Sequence, residues 1–431
     1  MTRSPFLLLL LLAAPTRVAA QVTKFDRQRA HIMLDVVRED IRKHYFDTTY
    51  GGIDLDAVFD TAGARVDRST ALSQLIGAVA QATRELNDSH TGFLPPGLVY
   101  RADYGWQLRF VGDTCRFFRL DEGSDAEAKG VHVGDALLGI EGFRPSRENL
   151  FRLQYLLYLV QPRAAVRLIL QSPGAEPRQV DIATKVIERR RIVDPHNSFD
   201  LGELIREGES EWEEEAPRWS EAGDKVVVWR PHHFYGYDSW VDDLLKSARK
   251  HQGLVLDLRG NHGGAVHSLL RLLGGFYAQD VTVCDQVERQ KHEPMVAKGK
   301  GDNRVQGEIV VLVDAESASA SEMFARTIQL TGRGKVLGDR TAGAVRESMG
   351  YIHSVGTQTM AFYGTQVTIA DLVMPDGGRL EQVGVSPDEV ILPTGADLRD
   401  KRDPVLAKAL ALLGVSMTAE QAGRLTWESD K

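Results

Sequence analysis

From residue 224 onward, short runs of almost uninterrupted aliphatic residues alternate with stretches of helical periodicity, and this alternation restricts the fold more than any other feature of the chain. The aliphatic runs are 225–229, 253–258, 308–313 and 335–338; the helical stretches are 240–250, 267–277 and 322–331. A strand that is apolar at successive positions has to be buried on both faces. The pattern therefore predicts an α/β core with a mostly parallel sheet covered by helices on both sides. At 431 residues, 43% apolar and 26% charged, the chain is long enough for two or three such folded units.

The first half reads differently. Residues 25–45 place Ala30, Met33, Leu34, Val37, Ile41 and Tyr45 at helical spacing, and a second helix is expected over 70–86. Asn87-Asp88-Ser89-His90-Thr91-Gly92, followed by Pro95-Pro96, has loop chemistry and places His90 beyond a helix end. Residues 101–185 change to short β-type runs such as 106–111 and 165–170, with one helical stretch at 148–159. The charged segment 189–224, which contains Glu211-Trp212-Glu213-Glu214-Glu215, reads as solvated surface. At the start, Arg3, the apolar run 6–14 and Val18-Ala19-Ala20 before Gln21 form the pattern of a secretory signal cleaved after Ala20. That run is too short to span a bilayer, so a periplasmic or secreted protein without stable membrane insertion is expected. The expected units are a signal at 1–20, a helical region at 21–99, a β-rich module at 100–187, an α/β core at 188–400 and a C-terminal helical segment at 401–431.

The formal charge of −8 becomes more acidic when Arg3 and Arg17 leave with the signal, which argues against nucleic acid as a partner. Cys115 and Cys284, the only cysteines, exclude a disulfide framework and a cysteine-rich zinc site, and leave a single bridge open.

In an open α/β sheet ligands collect where strands turn into helices. After run 253–258 the chain reads Arg259-Gly260-Asn261-His262-Gly263-Gly264, a glycine-rich turn whose N–H groups can face a ligand. After run 308–313 it reads Glu316-Ser317-Ala318-Ser319-Ala320-Ser321-Glu322, where small neighbours permit a tight bend that exposes the hydroxyl of Ser319. Ser319 and Glu322 also stand at capping-box spacing, so the same motif can be read as a helix start. His262 and His267 flank the first turn, but no third ligand stands at a recognised spacing, and no metal is assigned.

These two turns, together with Leu337-Gly338-Asp339-Arg340-Thr341-Ala342-Gly343 and Glu381-Gln382-Val383-Gly384-Val385-Ser386-Pro387-Asp388, resemble the tail-specific (C-terminal processing) and tricorn-core serine peptidases. The resemblance extends to Gly134-Asp135-Ala136-Leu137-Leu138-Gly139-Ile140-Glu141-Gly142 in the β-rich module and to Asp88-Ser89-His90-Thr91. It implies a crotonase-like core, a PDZ-like module and an acyl-enzyme mechanism that needs no cofactor. Ser319 is then the nucleophile, and Gly264 and Ala320 supply the oxyanion N–H groups. One branch of the family activates its serine with a lysine in a Thr-Phe-Gly-Lys-Gly turn; here the turn reads Thr341-Ala342-Gly343-Ala344-Val345 and the lysine is absent. The resemblance is therefore to the Ser-His-Glu, tricorn-like branch, with His90 as base and Glu381 as the carboxylate that orients it; Asp388, Asp376 and Glu322 stand as alternatives to Glu381. The implied activity is endopeptidase cleavage of exported or periplasmic proteins or peptides, with a homo-oligomer left open. The competing readings are an inactive peptidase-fold protein that binds peptides or apolar ligands, and a scaffold acting through its PDZ-like module.

Overall fold

The computed structural model describes residues 22–96, 100–154, 156–157, 163–188, 217–234, 239–356 and 361–429. The expected signal at 1–20 and residues 189–216 of the charged stretch 189–224 lie outside these residues. Helix α1 (Lys24–His44) starts at Thr23, whose hydroxyl accepts the Asp26 N–H while the Asp26 carboxylate accepts the Thr23 N–H. Helix α2 (Leu55–Arg68) was not anticipated, although Asp54 caps it and Leu55, Phe59, Ala62 and Val66 form a buried stripe at helical spacing. Helix α3 (Leu72–Arg84) leads into the loop carrying His90. The chain then enters strand β1 (Gly92–Leu94) directly, so the N-terminal region does not close as a helical unit near residue 99.

Next comes the β-rich module: β2 (Tyr100–Asp103), β3 (Trp106–Val111), β4 (Thr114–Leu120), the short α4 (Asp125–Ala128), β5 (Ala136–Ile140), α5 (Leu150–Gln154), β6 (Ala165–Gln171), β7 (Arg178–Ala183) and β8 (Lys185–Glu188). Strands β3 to β7 form one antiparallel sheet in chain order over a core of Leu108, Phe117, Leu168, Leu170 and Ile182, and β2 pairs with β8 where the chain enters and leaves.

The remaining elements are β9 (Arg218–Ala222), β10 (Val226–Arg230), α6 (Ser239–Ala248), β11 (Gly253–Asp257), α7 (Val266–Gly274), β12 (Val281–Val287), β13 (His292–Ala297), β14 (Glu308–Val313), α8 (Ala320–Leu330), β15 (Gly334–Gly338), β16 (Arg346–Val355), β17 (Ala361–Val373), β18 (Glu389–Val390), α9 (Gly395–Arg399), α10 (Pro404–Leu412), α11 (Ala419–Gly423) and β19 (Glu428–Ser429). The central sheet runs β18-β15-β14-β11-β10-β9-β19, parallel from β18 to β10 and antiparallel at β9 and β19. Successive residues of each strand serve opposite layers: Leu254 and Leu256 pack with Leu244, Leu269, Phe324 and Ile328 of α6 to α8, whereas Val255 packs with Leu406 and Leu410 of α10. The continuous aliphatic runs exist because both faces are dry. Strand β9 is a correction, since the stretch ending at residue 224 was expected to be solvated surface.

A second sheet, also unanticipated, joins β1-β17-β12-β13 with β16 on β17, all antiparallel. Its β1–β17 pairing, together with packing of Val355, Tyr363 and Val367 against α1 to α3, ties the helical region to the core. Cys115 and Cys284 are free, buried in different hydrophobic clusters, and form no bridge. No helix among the described residues is long and apolar enough to cross a membrane.

Candidate active site

Strand β14 ends at Val313, and six residues later Ser319 stands immediately before helix α8. Its backbone has φ 55° and ψ −116°, a left-handed strained conformation that L-residues seldom adopt outside functional turns. The helix-cap alternative is met only by half: Glu322 Oε2 accepts the Ser319 N–H at 3.1 Å, but the Ser319 hydroxyl makes no cap bond. Ser319 is thus half-buried at a strained strand-to-helix turn, its hydroxyl not committed to the cap.

Glu322, expected as a capping-box partner of Ser319 or as an alternative orienting carboxylate, is fully buried and organises this turn. It also accepts from Thr341 Oγ1, from Gly343 N–H at 2.8 Å and from Ala344 N–H at 2.9 Å. Burial pushes its carboxyl up to about 7 against the opposing effect of those donors. The Ser319 N–H is shared with the Ala344 carbonyl at 2.9 Å, so the 341–345 segment lies against the Ser319 turn.

The glycine-rich turn is fastened to the same place. Arg259 bridges the buried Asp257 to Asp403, the N-cap of α10, at 3.0 and 2.7 Å, and Arg230 also binds Asp257. Burial alone would raise the Asp257 carboxyl; the two guanidinium groups hold it well below the ordinary range. Asn261 accepts the Gly263 N–H at 2.9 Å, and its carbonyl accepts the Ala318 N–H and the Ser321 hydroxyl, both at 3.0 Å. Gly263, at φ 91°, comes so close to the serine that a Cβ there would lie 2.7 Å from Ser319 Cβ. The N–H groups of Gly264 and Ala320 have no acceptor among the described residues, although Phe234 donates to the Gly263 carbonyl and accepts from Ala265 on either side of Gly264. Two unpaired N–H groups beside a serine can receive a developing oxyanion.

The third component arrives from the helical region. Glu381 Oε1 accepts the Ser89 N–H at 3.1 Å, and its Oε2 accepts the Ser89 hydroxyl at 2.8 Å and the Val345 N–H at 2.9 Å. Ser89 Oγ lies 2.7 Å from His90 Nδ1. Ser89 has one hydroxyl proton, and it goes to the carboxylate. His90 Nδ1 must then carry the proton that it donates to Ser89, which leaves Nε2 as the basic nitrogen. Sequence reasoning anticipated His90 and Glu381 but missed Ser89, which stands between them; Glu381 reaches the imidazole through that hydroxyl. The available signal was a serine directly before the candidate histidine.

Asp88 anchors the loop. Buried and bonded to the His90 N–H, to Tyr45 and to Thr368, it lies 3.4 Å from Arg346, which also approaches Glu381 at 3.8 Å and Asp371 at 3.5 Å. Burial lowers the His90 pKa despite the pull of Glu381 and Asp88, keeping the ring neutral. No hydrogen bond joins His90 to the Ser319 hydroxyl. They are connected instead through Ser89, Glu381 and residues 344–345. Asp376 is bonded to Arg326, and Asp388 to Val336 and Gln329, so neither serves the loop. Among the described residues the carboxylate that His262 approaches is Glu316, at 3.9 Å.

Residues 230–391 match peptidase family S41. The chain is 26% identical over 346 residues to the tail-specific protease of Haemophilus influenzae, covering 74% of this chain and 46% of that protein. It is 26% identical over 322 residues to the carboxy-terminal processing protease CtpA of Bacillus subtilis, covering 72% of this chain and 62% of the relative. This chain therefore spans about half to three-fifths of the length of these relatives. Among solved structures, mature CPAF aligns over 87% of this chain and 94% of its own at a TM-score of 0.66 and 16% identity. The photosystem II D1 C-terminal processing protease aligns over 93% and 100% at 0.53 and 18%. Residues 230–391 thus match the model of peptidase family S41, and the chain is similar to tail-specific and carboxyl-terminal-processing proteases.

Proposed function

We propose that the protein is a serine endopeptidase of the Ser-His-Glu, tricorn-like kind, in which Ser319 attacks a peptide carbonyl and His90 takes its proton. The observation that carries this reading is the hydrogen-bonded chain Glu381–Ser89–His90, which is tied through residues 344–345 to a strained serine whose hydroxyl makes no cap bond. Glu381 and Ser89 fix the tautomer in which Nε2 is basic. Gly264 and Ala320 hold the oxyanion of the tetrahedral intermediate, and water, activated by the same imidazole, releases the acyl-enzyme. Ala344 occupies the position where the other branch carries a lysine, so His90 is the base within reach of this network.

Around this centre, 188–400 is a crotonase-like core, 100–187 a PDZ-like module and 21–99 the region that contributes the base; 401–431 covers one face of the sheet. With a signal at 1–20, the enzyme works on protein or peptide substrates outside the cytoplasm. The missing Ser319–His90 hydrogen bond is the one observation that favours the inactive binding-protein reading. Reaction with a fluorophosphonate probe separates the two. Covalent labelling that is lost in Ser319→Ala and strongly slowed in His90→Ala is expected, and an unlabelled wild-type protein across pH 5–9 would refute the peptidase reading.

A further inference from the structure

A cleft of about 920 Å³ lies between helices α2 and α3 and the β-rich module, at the upper end of the size range of ligand sites. Arg65, Arg68, Arg84 and Arg152 line it, with Glu85 as the opposing charge and Leu153 on the apolar wall. Arg65, Arg68 and Arg152 are exposed, and none has a carboxylate partner among the described residues. On the neighbouring helix α1, by contrast, arginines are paired: Arg38 with Asp35 and Asp60, Arg42 with Glu39 and Asp56. Helix dipoles account for basic residues in the last turns of α2 and α3, but not for Arg152, which faces them from the module. On a chain of net charge −8, this is a local concentration of positive charge against the overall field.

The cleft also leads to the catalytic loop. Asn87 lines it three residues before His90, and its carbonyl accepts from Gln382 Nε2 at 2.7 Å, next to Glu381. A ligand in the cleft is therefore held beside the loop that presents the base, yet touches neither Ser319 nor His90.

We propose that this arginine-lined cleft docks an acidic stretch of the polypeptide substrate, so that Asp and Glu side chains away from the scissile bond are held by Arg65, Arg68 and Arg152. This rests on the peptidase reading. Guanidinium groups suit it because they bind carboxylates bidentately and stay charged at every physiological pH.

Fluorescence anisotropy of labelled peptides with Ser319→Ala protein, which cannot consume them, tests the docking separately from catalysis. A peptide with an Asp/Glu run is expected to bind, and its Asn/Gln counterpart and a Lys-rich peptide to bind at least about tenfold more weakly, with the difference shrinking as salt rises. Arg65→Glu/Arg68→Glu/Arg152→Glu in the same background should reduce acidic-peptide affinity about tenfold or more, and the Gln series should do so less strongly. In the active enzyme the triple change should raise KM for acidic substrates and leave kcat and the fluorophosphonate labelling rate unchanged. Equal binding of all three peptides overturns the proposal. So does an equal loss on reversing the distant Lys43, Lys291 and Lys298, which would mark a net-charge effect. If wild type fails to label while acidic-peptide binding still depends on the three arginines, the peptidase reading falls and the docking site remains.

Discussion

Replacing Gly263 with alanine isolates how closely the glycine-rich turn is fitted to Ser319. The new Cβ would sit 2.7 Å from Ser319 Cβ, 2.8 Å from the Ala318 carbonyl oxygen and 2.9 Å from the Ala320 nitrogen. Two of those atoms are backbone and the third is rooted on it, so no flexible side chain can yield. The φ of 91° adds a left-handed penalty of about 1–2 kcal/mol for any L side chain, and overpacking adds about 1–3 kcal/mol. Gly377 supplies the control, because it has a similar φ of 80° and nothing within 4 Å. Gly377→Ala should therefore show the conformational penalty alone. Urea unfolding should find Gly263→Ala less stable than Gly377→Ala by about 1–3 kcal/mol, unless the clash is relieved by moving Ser319. A shift of that kind, near 1 Å, slows fluorophosphonate labelling about a hundredfold. If Gly263→Ala labels at the wild-type rate and is no less stable than Gly377→Ala, the close approach is not a constraint on the site and the reasoning fails.

Two further outcomes follow from the network around His90 and Ser319. Ser89→Ala and Glu381→Gln should each slow labelling by about 10²-fold, and the double variant should be scarcely slower than either, because both act through one imidazole tautomer; additive losses in the cycle would refute the relay. The labelling rate should also fall as pH drops through about 7, where Glu322 takes up a proton and one acceptor position holding the Ser319 turn becomes a donor. His90, lowered by burial, would by itself hold the rate until below its ordinary value of 6.5, and an acid limb that persists unchanged in Glu322→Gln would exclude Glu322 as its origin. The stability effect has the opposite sign. Glu322 is raised in the fold from its ordinary 4.5, so its stabilising contribution, about 3 kcal/mol, is present below pH 4.5 and is lost as pH rises through about 7.

The central sheet was readable because strands buried on both faces carry aliphatic residues at consecutive positions, as 308–313 and 253–258 do, and neighbours there are joined by helices of ordinary amphipathic spacing. Residue 319 drew attention for a related reason, although a serine among small residues after such a strand also reads as a helix start, and only the glycine-rich turn on the same sheet and the family resemblance favoured the other reading. Helix α2 was legible in principle from Asp54, Leu55, Phe59, Ala62 and Val66. The second sheet was not. Strand β16 alternates half-buried and exposed positions with Gly350 in its middle, and its partner β17 has a buried glycine at position 364, so neither gives a continuous apolar run.

What local pattern could not supply is the distance over which the site is assembled. Ser89 and Glu381 meet across 292 residues. The pairing of β1 with β17, at Gly92–Leu94 against Gly364–Gln366, fixes the chain two residues beyond His90, while Thr368 Oγ1 bonds Asp88 two residues before it. The His90 loop is thus clamped on both sides by one strand of a sheet that the sequence did not reveal. A histidine in a polar loop and a glutamate in a turn carry no signal that they share a serine hydroxyl, because that hydroxyl acquires its role only when the clamp sets the loop against Glu381. Loosening the clamp from β17 would then misplace Ser89 and His90 together, with no change at Ser319.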